Sequence, residues 1–372
     1  MARGPVRLIT PVVSVRNGDT PLSVVMVCGA GPAALIGSER FALHLARGLA
    51  SCGVRVTLVL QTPAALDPHD VGDCIVDALG SLDVATLTTA VPAPDVVIAV
   101  DLVWAGAAQV ALDAAHHWKV PLAVVPASAQ GAWLDHAASL AVAAQAQRVL
   151  VVTAAEGRAL TQRGVDAVRQ RVIGYGAYPT PRRSGVDTEY SVPSADYVLF
   201  LGRKRRDKGY RELLDAAPLV WARHPNTHFV FAGPRIDADC LEWFARVPDA
   251  RVIELDRVSV PHKDALVAGC AVLCLPTVTD IFPQVFLEAW QAGKPVVTAR
   301  FDGADEVVRH GVDGLIVEQT VDAVADALVQ LLDAPERRAT MGHAGSERLA
   351  AELSWSAVSA RVAAELRTLA AG

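Results

Sequence analysis

Short runs of β-branched residues alternate with Ala- and Leu-rich amphipathic stretches over most of the chain. The runs at 22–28, 54–60, 95–100, 121–125 and 148–152 are largely apolar and bounded by turn residues. A strand with one wet face would alternate, whereas a continuous apolar run suits a parallel strand buried on both faces. Between them, 38–51 places Phe41, Leu45 and Leu49 on one helical face and stops before Gly53, a residue suited to a helix end. The stretches 106–117, 132–146 and 155–163 repeat the helical pattern. Strand and helix in turn predict right-handed crossovers and a doubly wound α/β sheet.

The rhythm breaks at 174–196, where Pro, Gly, Ser and charged residues follow one another without an apolar period. That composition reads as a linker. A second series then places strands at 197–201, 227–232, 251–255, 271–275, 295–298 and 314–317, and helical patterns at 321–333, 335–349 and 354–369 close the chain. The expected organisation is an irregular opening at 1–20, one doubly wound domain at 21–175, a linker at 176–196, and a second such domain at 197–353. A C-terminal helix at 354–372 is expected to pack back on the first domain. Two such halves should face across a cleft, with ligands outside the carboxyl ends of the strands.

Composition narrows the partners. With 34 Lys+Arg against 40 Asp+Glu, the 372-residue chain has a formal charge of −6, the wrong sign for a nucleic-acid binder. Hydrophobic residues at 52% and charged ones at 20% describe folded domains and exclude long disorder. No apolar run is long enough for a transmembrane segment. Pro11 and Arg16 interrupt the opening stretch, which makes a poor signal peptide. Six cysteines stand singly in apolar stretches without zinc-ligand spacing, as expected of buried free thiols in a reducing, cytoplasmic compartment.

Several segments could carry chemistry. Gly29-Ala-Gly31-Pro-Ala-Ala34 has the spelling of a dinucleotide fingerprint, but no acidic residue follows at the end of the second strand and Pro32 removes an N–H. A tight glycine turn is the better reading. Gly37 opens a helix through Ser38 and Glu39, a position where orphan N–H groups can meet an anion or simply be capped. After the strand at 197–201, Gly202, Arg203 and Lys208-Gly209 bracket a loop, and two cations at a strand end would neutralise a diphosphate. The alternative is a solvated basic loop, since Lys204, Arg205 and Arg206 crowd the same turn. Beyond the strand at 271–275, Asp280 lies in a loop, a helix starts near Gln284, and Glu288 lies within it. Carboxylates there can accept from sugar or ribose hydroxyls, or be ordinary turn and surface charges. Asp237-Ala-Asp239 is spelt like a metal-binding motif but reads better as a helix start, and His116-His117 as the end of one.

In order and spacing these segments resemble the retaining glycosyltransferases of family 4, over nearly the whole chain from Pro21 onward. Gly37-Ser-Glu39 is similar to that family's G-G-x-E loop, and Val172-Ile-Gly-Tyr-Gly176 to the segment before its linker. Gly202-Arg203-x4-Lys208-Gly209 resembles its G-R-x4-K-G, Asp280-x7-Glu288 its E-x7-E, and Gly311-Val-Asp-Gly314-Leu its N-G-x-L strand. The resemblance implies a GT-B fold of two Rossmann-like domains facing across a cleft. It also implies a nucleotide-sugar donor held mainly by the C-terminal domain, and a small-molecule, glycan or lipid-linked acceptor held by the N-terminal one. Arg203, Lys208 and Asp280 would be catalytic, the first two on the diphosphate and Asp280 on the sugar hydroxyls. Glu288 would hold the ribose, the backbone near Val258 the base, and Gly37, Gly202, Phe282, Pro283, Gln284 and Val285 would complete the donor site. Neither cofactor nor metal is implied. The chain departs from the family at Asp280 for Glu, Pro283 for Gly and Ile36 for Gly, and has no His around Val125-Pro-Ala127-Ser128. A non-catalytic nucleotide-sugar-binding or partner protein of the same fold, and a GT-B nucleotide-sugar epimerase, fit the same residues. No basic amphipathic helix stands out, which disfavours a lipid-linked acceptor while leaving peripheral membrane contact open.

Overall fold

A computed structural model describes residues 21–29, 37–60, 75–78, 82–128, 133–178, 193 and 196–372. The chain divides into two compact units, Met1–Gly176 with Trp355–Gly372, and Ala177–Ser354. The opening at 1–20, most of the expected linker at 176–196, Ile36 and Cys74 lie outside the described residues.

The first unit is a seven-stranded parallel sheet. Its strands are β1 (Ser23–Cys28), β2 (Arg55–Leu60), β3 (Ile75–Ala78), β4 (Val96–Val100), β5 (Leu122–Val125), β6 (Arg148–Val151) and β7 (Gln170–Val172), in spatial order β3-β2-β1-β4-β5-β6-β7. The central strands are buried along nearly their whole length, as their unbroken apolar runs require. Two strands were not foreseen. β7 is a three-residue edge strand with Arg171 and Val172 exposed, and an edge tolerates polar residues that a central strand does not. β3 is four residues long and contains Asp77, too short and mixed for a pattern. Helix Val84–Ala90 was also missed. Its threonines disfavour a helix, but Asp83 caps it, accepting from Thr86 N at 2.8 Å and from Thr86 Oγ1 at 2.8 Å.

Helix Trp355–Ala371 closes this unit by packing on helix Gly37–Ser51. Close approach is possible because Gly48 lacks a side chain. A Cβ there would lie 1.9 Å from Ser359 Oγ. Phe41 meets Tyr175 and Trp355 edge-on at 5.1 and 5.2 Å between centroids. Arg361 donates to Ile173 O at 2.9 and 2.7 Å.

The second unit is a six-stranded parallel sheet. Its strands are β8 (Tyr197–Leu201), β9 (His228–Ala232), β10 (Val252–Leu255), β11 (Val272–Leu275), β12 (Val296–Ala299) and β13 (Gly314–Val317), in order β10-β9-β8-β11-β12-β13. The direction of winding reverses between β8 and β11, and such a reversal opens a crevice at the carboxyl ends of the two strands. The loops that leave β8 and β11 are those carrying Arg203–Lys208 and Asp280. Four of the five described cysteines are buried, but Cys52 is only half-buried, at the end of its helix.

Candidate functional site

The site is assembled by two loops of the second unit brought into contact at glycines. Gly209 has φ +74, and a Cβ there would sit 2.3 Å from Pro276 O, so only glycine lets the loop after β8 lie against the loop after β11. Val278 N donates to Asp207 O at 2.9 Å and locks the two together. Gly233, after β9, approaches Gly202 so closely that a Cβ would lie 2.0 Å from Gly202 O.

The cationic loop holds four different environments. Arg203 is exposed and its guanidinium has no side-chain partner among the described residues. Lys204 is fully buried, with Nζ donating to Gly233 O at 2.6 Å and Leu255 O at 2.6 Å and pairing with Glu254 at 3.1 Å. Arg205 is bidentate to Asp207. Burial pushes the Asp207 carboxyl up, but the bonded Arg205 and the charge of Lys208 outweigh that and hold it below the usual carboxylate range. Arg206 is exposed. Within one charge run, Lys204 and Arg205 are therefore held by partners while Arg203 and Arg206 face solvent.

Lys208 is mostly buried and reaches into the loop after β11. Its ammonium donates to Asp280 Oδ2 at 2.8 Å, Thr279 O at 2.6 Å and the hydroxyl of the buried Thr277 at 3.4 Å. Asp280 Oδ1 accepts from Ile281 N at 3.0 Å. Phe282 and Pro283 are buried, and Pro283 heads helix Gln284–Gln291 with Gln284 and Val285 half-buried in its first turn. One turn on, Glu288 takes Lys263 on Oε1 while its Oε2 is buried with no hydrogen-bond partner among the described residues. Val258 is half-buried in the connection between β10 and helix Val260–Gly269, which supplies Lys263.

The structure thus brings Lys208 to Asp280 and Gly202 to Gly233. It gives the Arg203 side chain no partner among the described residues, and it adds Lys204, Lys263 and Thr277, which carried no distinguishing sequence signal. Gly37 heads helix Gly37–Ser51 in the other unit, followed by the buried Glu39. Of the glycine-rich turn only Gly29 is described; it packs on Trp104, where a Cβ would lie 2.4 Å from Trp104 Cβ. Asp237 and Asp239 clamp Arg211 at 2.9 and 2.6 Å, with the guanidinium 4.7 Å from the Trp243 ring centre, so both carboxylates already have a cation. His116 and His117 end helix Ala105–Trp118 and are exposed. Among the described residues no group of three or more His, Cys, Asp or Glu side chains is placed to hold a metal ion, and no helix is long and apolar enough to cross a membrane.

Comparison with known proteins adds to this geometry. Residues 37–176 match the family described as glycosyl transferase 4-like domain, and residues 195–334 match glycosyl transferases group 1. The GDP-mannose-dependent alpha-(1-6)-phosphatidylinositol monomannoside mannosyltransferase of Mycobacterium tuberculosis is 30% identical over 215 residues, 55% of this chain and 54% of that protein. The match therefore spans about half the length of that relative. The GDP-mannose-dependent monoacylated alpha-(1-6)-phosphatidylinositol monomannoside mannosyltransferase of Corynebacterium glutamicum is 28% identical over 291 residues, 71% of this chain and 75% of that one. Among solved structures, Anabaena HepE in complex with UDP and glucose superposes with a TM-score of 0.73 at 19% identity, covering 93% of this chain and 100% of that chain. At that identity the likeness is one of fold, and the fold is GT-B.

Proposed function

The chain belongs to the group 1 glycosyltransferases of the GT-B fold, and on that premise we propose that it moves a sugar from a nucleoside-diphosphate sugar to an acceptor hydroxyl, with retention and without a bound metal. The observation that carries this reading is that Arg203 and Lys208 lie in the loop leaving β8, with Lys208 reaching Asp280 in the loop leaving β11, the two strands between which the sheet reverses. Breaking the anomeric C–O bond builds negative charge on the leaving diphosphate. Cations already in place favour that state over the ground state, and losing one such group typically costs about 2.7–4 kcal/mol. With this charge supplied by side chains, the leaving phosphate can take the acceptor proton on the face it departs from, which retains configuration. Glu288 is the ribose ligand in this scheme, and Asp280 accepts from hydroxyls of the transferred sugar. The relatives' names make GDP-mannose the first donor to try. Free thiols support a cytoplasmic, reducing setting.

One observation favours a second reading, a nucleotide-sugar-binding protein without turnover. All three donors of the Lys208 ammonium are already directed at residues 277–280, and Asp280 and Pro283 stand where the family has Glu and Gly.

Thermal unfolding with UDP, GDP, ADP and their common sugars, beside Arg203→Ala, separates these readings. A ligand at a hundred times its Kd adds about 2.7 kcal/mol, visible as a rise in Tm. We expect a rise with one nucleotide, lost in Arg203→Ala, and transfer or hydrolysis of the matching sugar donor. Binding with no turnover would support the second reading, and no rise with any nucleotide would overturn both.

A further inference from the structure

We infer that Lys204 is a positioning residue that holds Arg203 in place for the donor diphosphate; this rests on the proposed donor site. A lysine beside a phosphate-binding arginine would be expected to share the anion, but the geometry excludes that role. Lys204 is fully buried, and its three N–H donors are taken by Gly233 O, Leu255 O and Glu254. An ammonium has three donors and no more. None is left for a ligand.

What Lys204 does instead is join three strand ends. Its backbone N donates to Pro234 O at 2.8 Å, and its carbonyl accepts from Ile236 N at 3.1 Å. Its side chain crosses beneath the chain to the carbonyls at the ends of β9 and β10. Glu254 gives the ammonium a counter-charge and is itself gripped by Arg235 at 2.8 and 2.8 Å. The residue immediately before Lys204 is Arg203, exposed and without a side-chain partner among the described residues. An unpartnered arginine is held only by its backbone, and this backbone is pinned one residue later by a buried charge. A misplacement of about 1 Å can cost on the order of 10²-fold in rate, so a group meant for the diphosphate gains from a pinned backbone.

Lys204→Met keeps the length and removes the donors. Titration calorimetry with UDP, GDP and ADP, on wild type, Lys204→Met, Arg203→Ala and the double variant, measures whether one residue acts through the other. We expect Lys204→Met to raise the Kd of the preferred nucleotide by about tenfold, the scale of one charge-assisted contact. We also expect no further rise on adding Lys204→Met to Arg203→Ala, and partial recovery in Lys204→Arg, which keeps a buried cation. The same rise in both backgrounds, or none in the wild-type background, would overturn the inference. Should Lys204→Met fail to fold, Glu254→Gln, which weakens the same tie while leaving Lys204 in place, carries the identical comparison. If Arg203→Ala itself leaves every nucleotide's affinity unchanged, it is the donor-site reading that fails.

Discussion

A carboxylate oxygen buried without a donor costs about 1–3 kcal/mol or more, and Glu288 Oε2 is in that position while Oε1 is satisfied by Lys263. A ligand hydroxyl that reached Oε2 would recover that cost. Glu288 should therefore distinguish a ribose from a sugar lacking its hydroxyls. Calorimetry should show wild type binding the nucleoside diphosphate more tightly than its 2′,3′-dideoxy analogue, and Glu288→Ala binding the two alike. Equal affinities in wild type would remove Glu288 from the ribose. Asp280 calls for a test of opposite sign, since it already holds the Lys208 ammonium that is proposed for the phosphate. Asp280→Asn deletes a negative charge beside the proposed diphosphate site, so nucleoside-diphosphate affinity should rise severalfold while transfer from a sugar donor falls. Weaker nucleotide binding in that variant would mean the pair orders Lys208 for the phosphate. Arg203, Lys208, Asp280 and Glu288 stood out in the sequence through their place after two strand runs and the spacing shared with the family they resemble, and their roles on the donor are proposed here. Lys204 and Lys263 were not. A lysine in a charge run looks the same whether it is solvated or buried, and only the strands it lies beside decide.

Gly209 sets how two elements meet. Its φ of +74 and the 2.3 Å that would separate a Cβ from Pro276 O leave no room for a side chain. Gly209→Ala should destabilise the second unit by about 1–3 kcal/mol, from strained backbone and overpacking together, and should weaken nucleotide binding by moving Lys208. Urea unfolding and calorimetry on one preparation measure both. Unchanged binding in a destabilised variant would mean that the loops need not touch for the site to work. The central strands of both sheets were legible for a simple reason. Burial on both faces forces an apolar run with no polar interruption, as in β4, where all five residues are buried. Elements at the rim escape that constraint. β7 exposes Arg171, and helix Val84–Ala90 depends on its Asp83 cap more than on its composition. The reversal of winding in each sheet is a long-range pairing and has no local signature at all.

At the scale of the molecule, each unit has its own sheet and core, so each should respond to pH through its own buried groups. Glu156 and His44, both in the first unit, shift in opposite directions. Glu156 lies in the first turn of helix Ala154–Thr161 and is buried, with Oε2 accepting from Val152 N at 2.6 Å and Oε1 without a partner among the described residues. Burial, only partly offset by the Val152 N–H, raises its pKa from 4.5 to about 8. The folded unit therefore holds a proton that the unfolded chain has released, and stability falls as pH rises between those values. His44, stacked on Trp355 at 5.6 Å, moves the other way. Burial first, then Arg47 and Arg40, lower its pKa from 6.5 to about 4, so its contribution rises with pH across that interval. Between about pH 4.5 and 6.5 the two slopes oppose each other. From 6.5 to 8 Glu156 alone of these two still titrates, and one proton over that span is worth about 2 kcal/mol. Urea unfolding followed by hydrogen exchange in β1–β7 should show the first unit losing about that much between pH 6.5 and 8.5. Glu156→Gln cannot ionise, and the difference between it and wild type should grow by the same amount over the same interval. A constant difference across that range would mean that Glu156 is already ionised in the folded chain, its charge reached by water through the side of the helix.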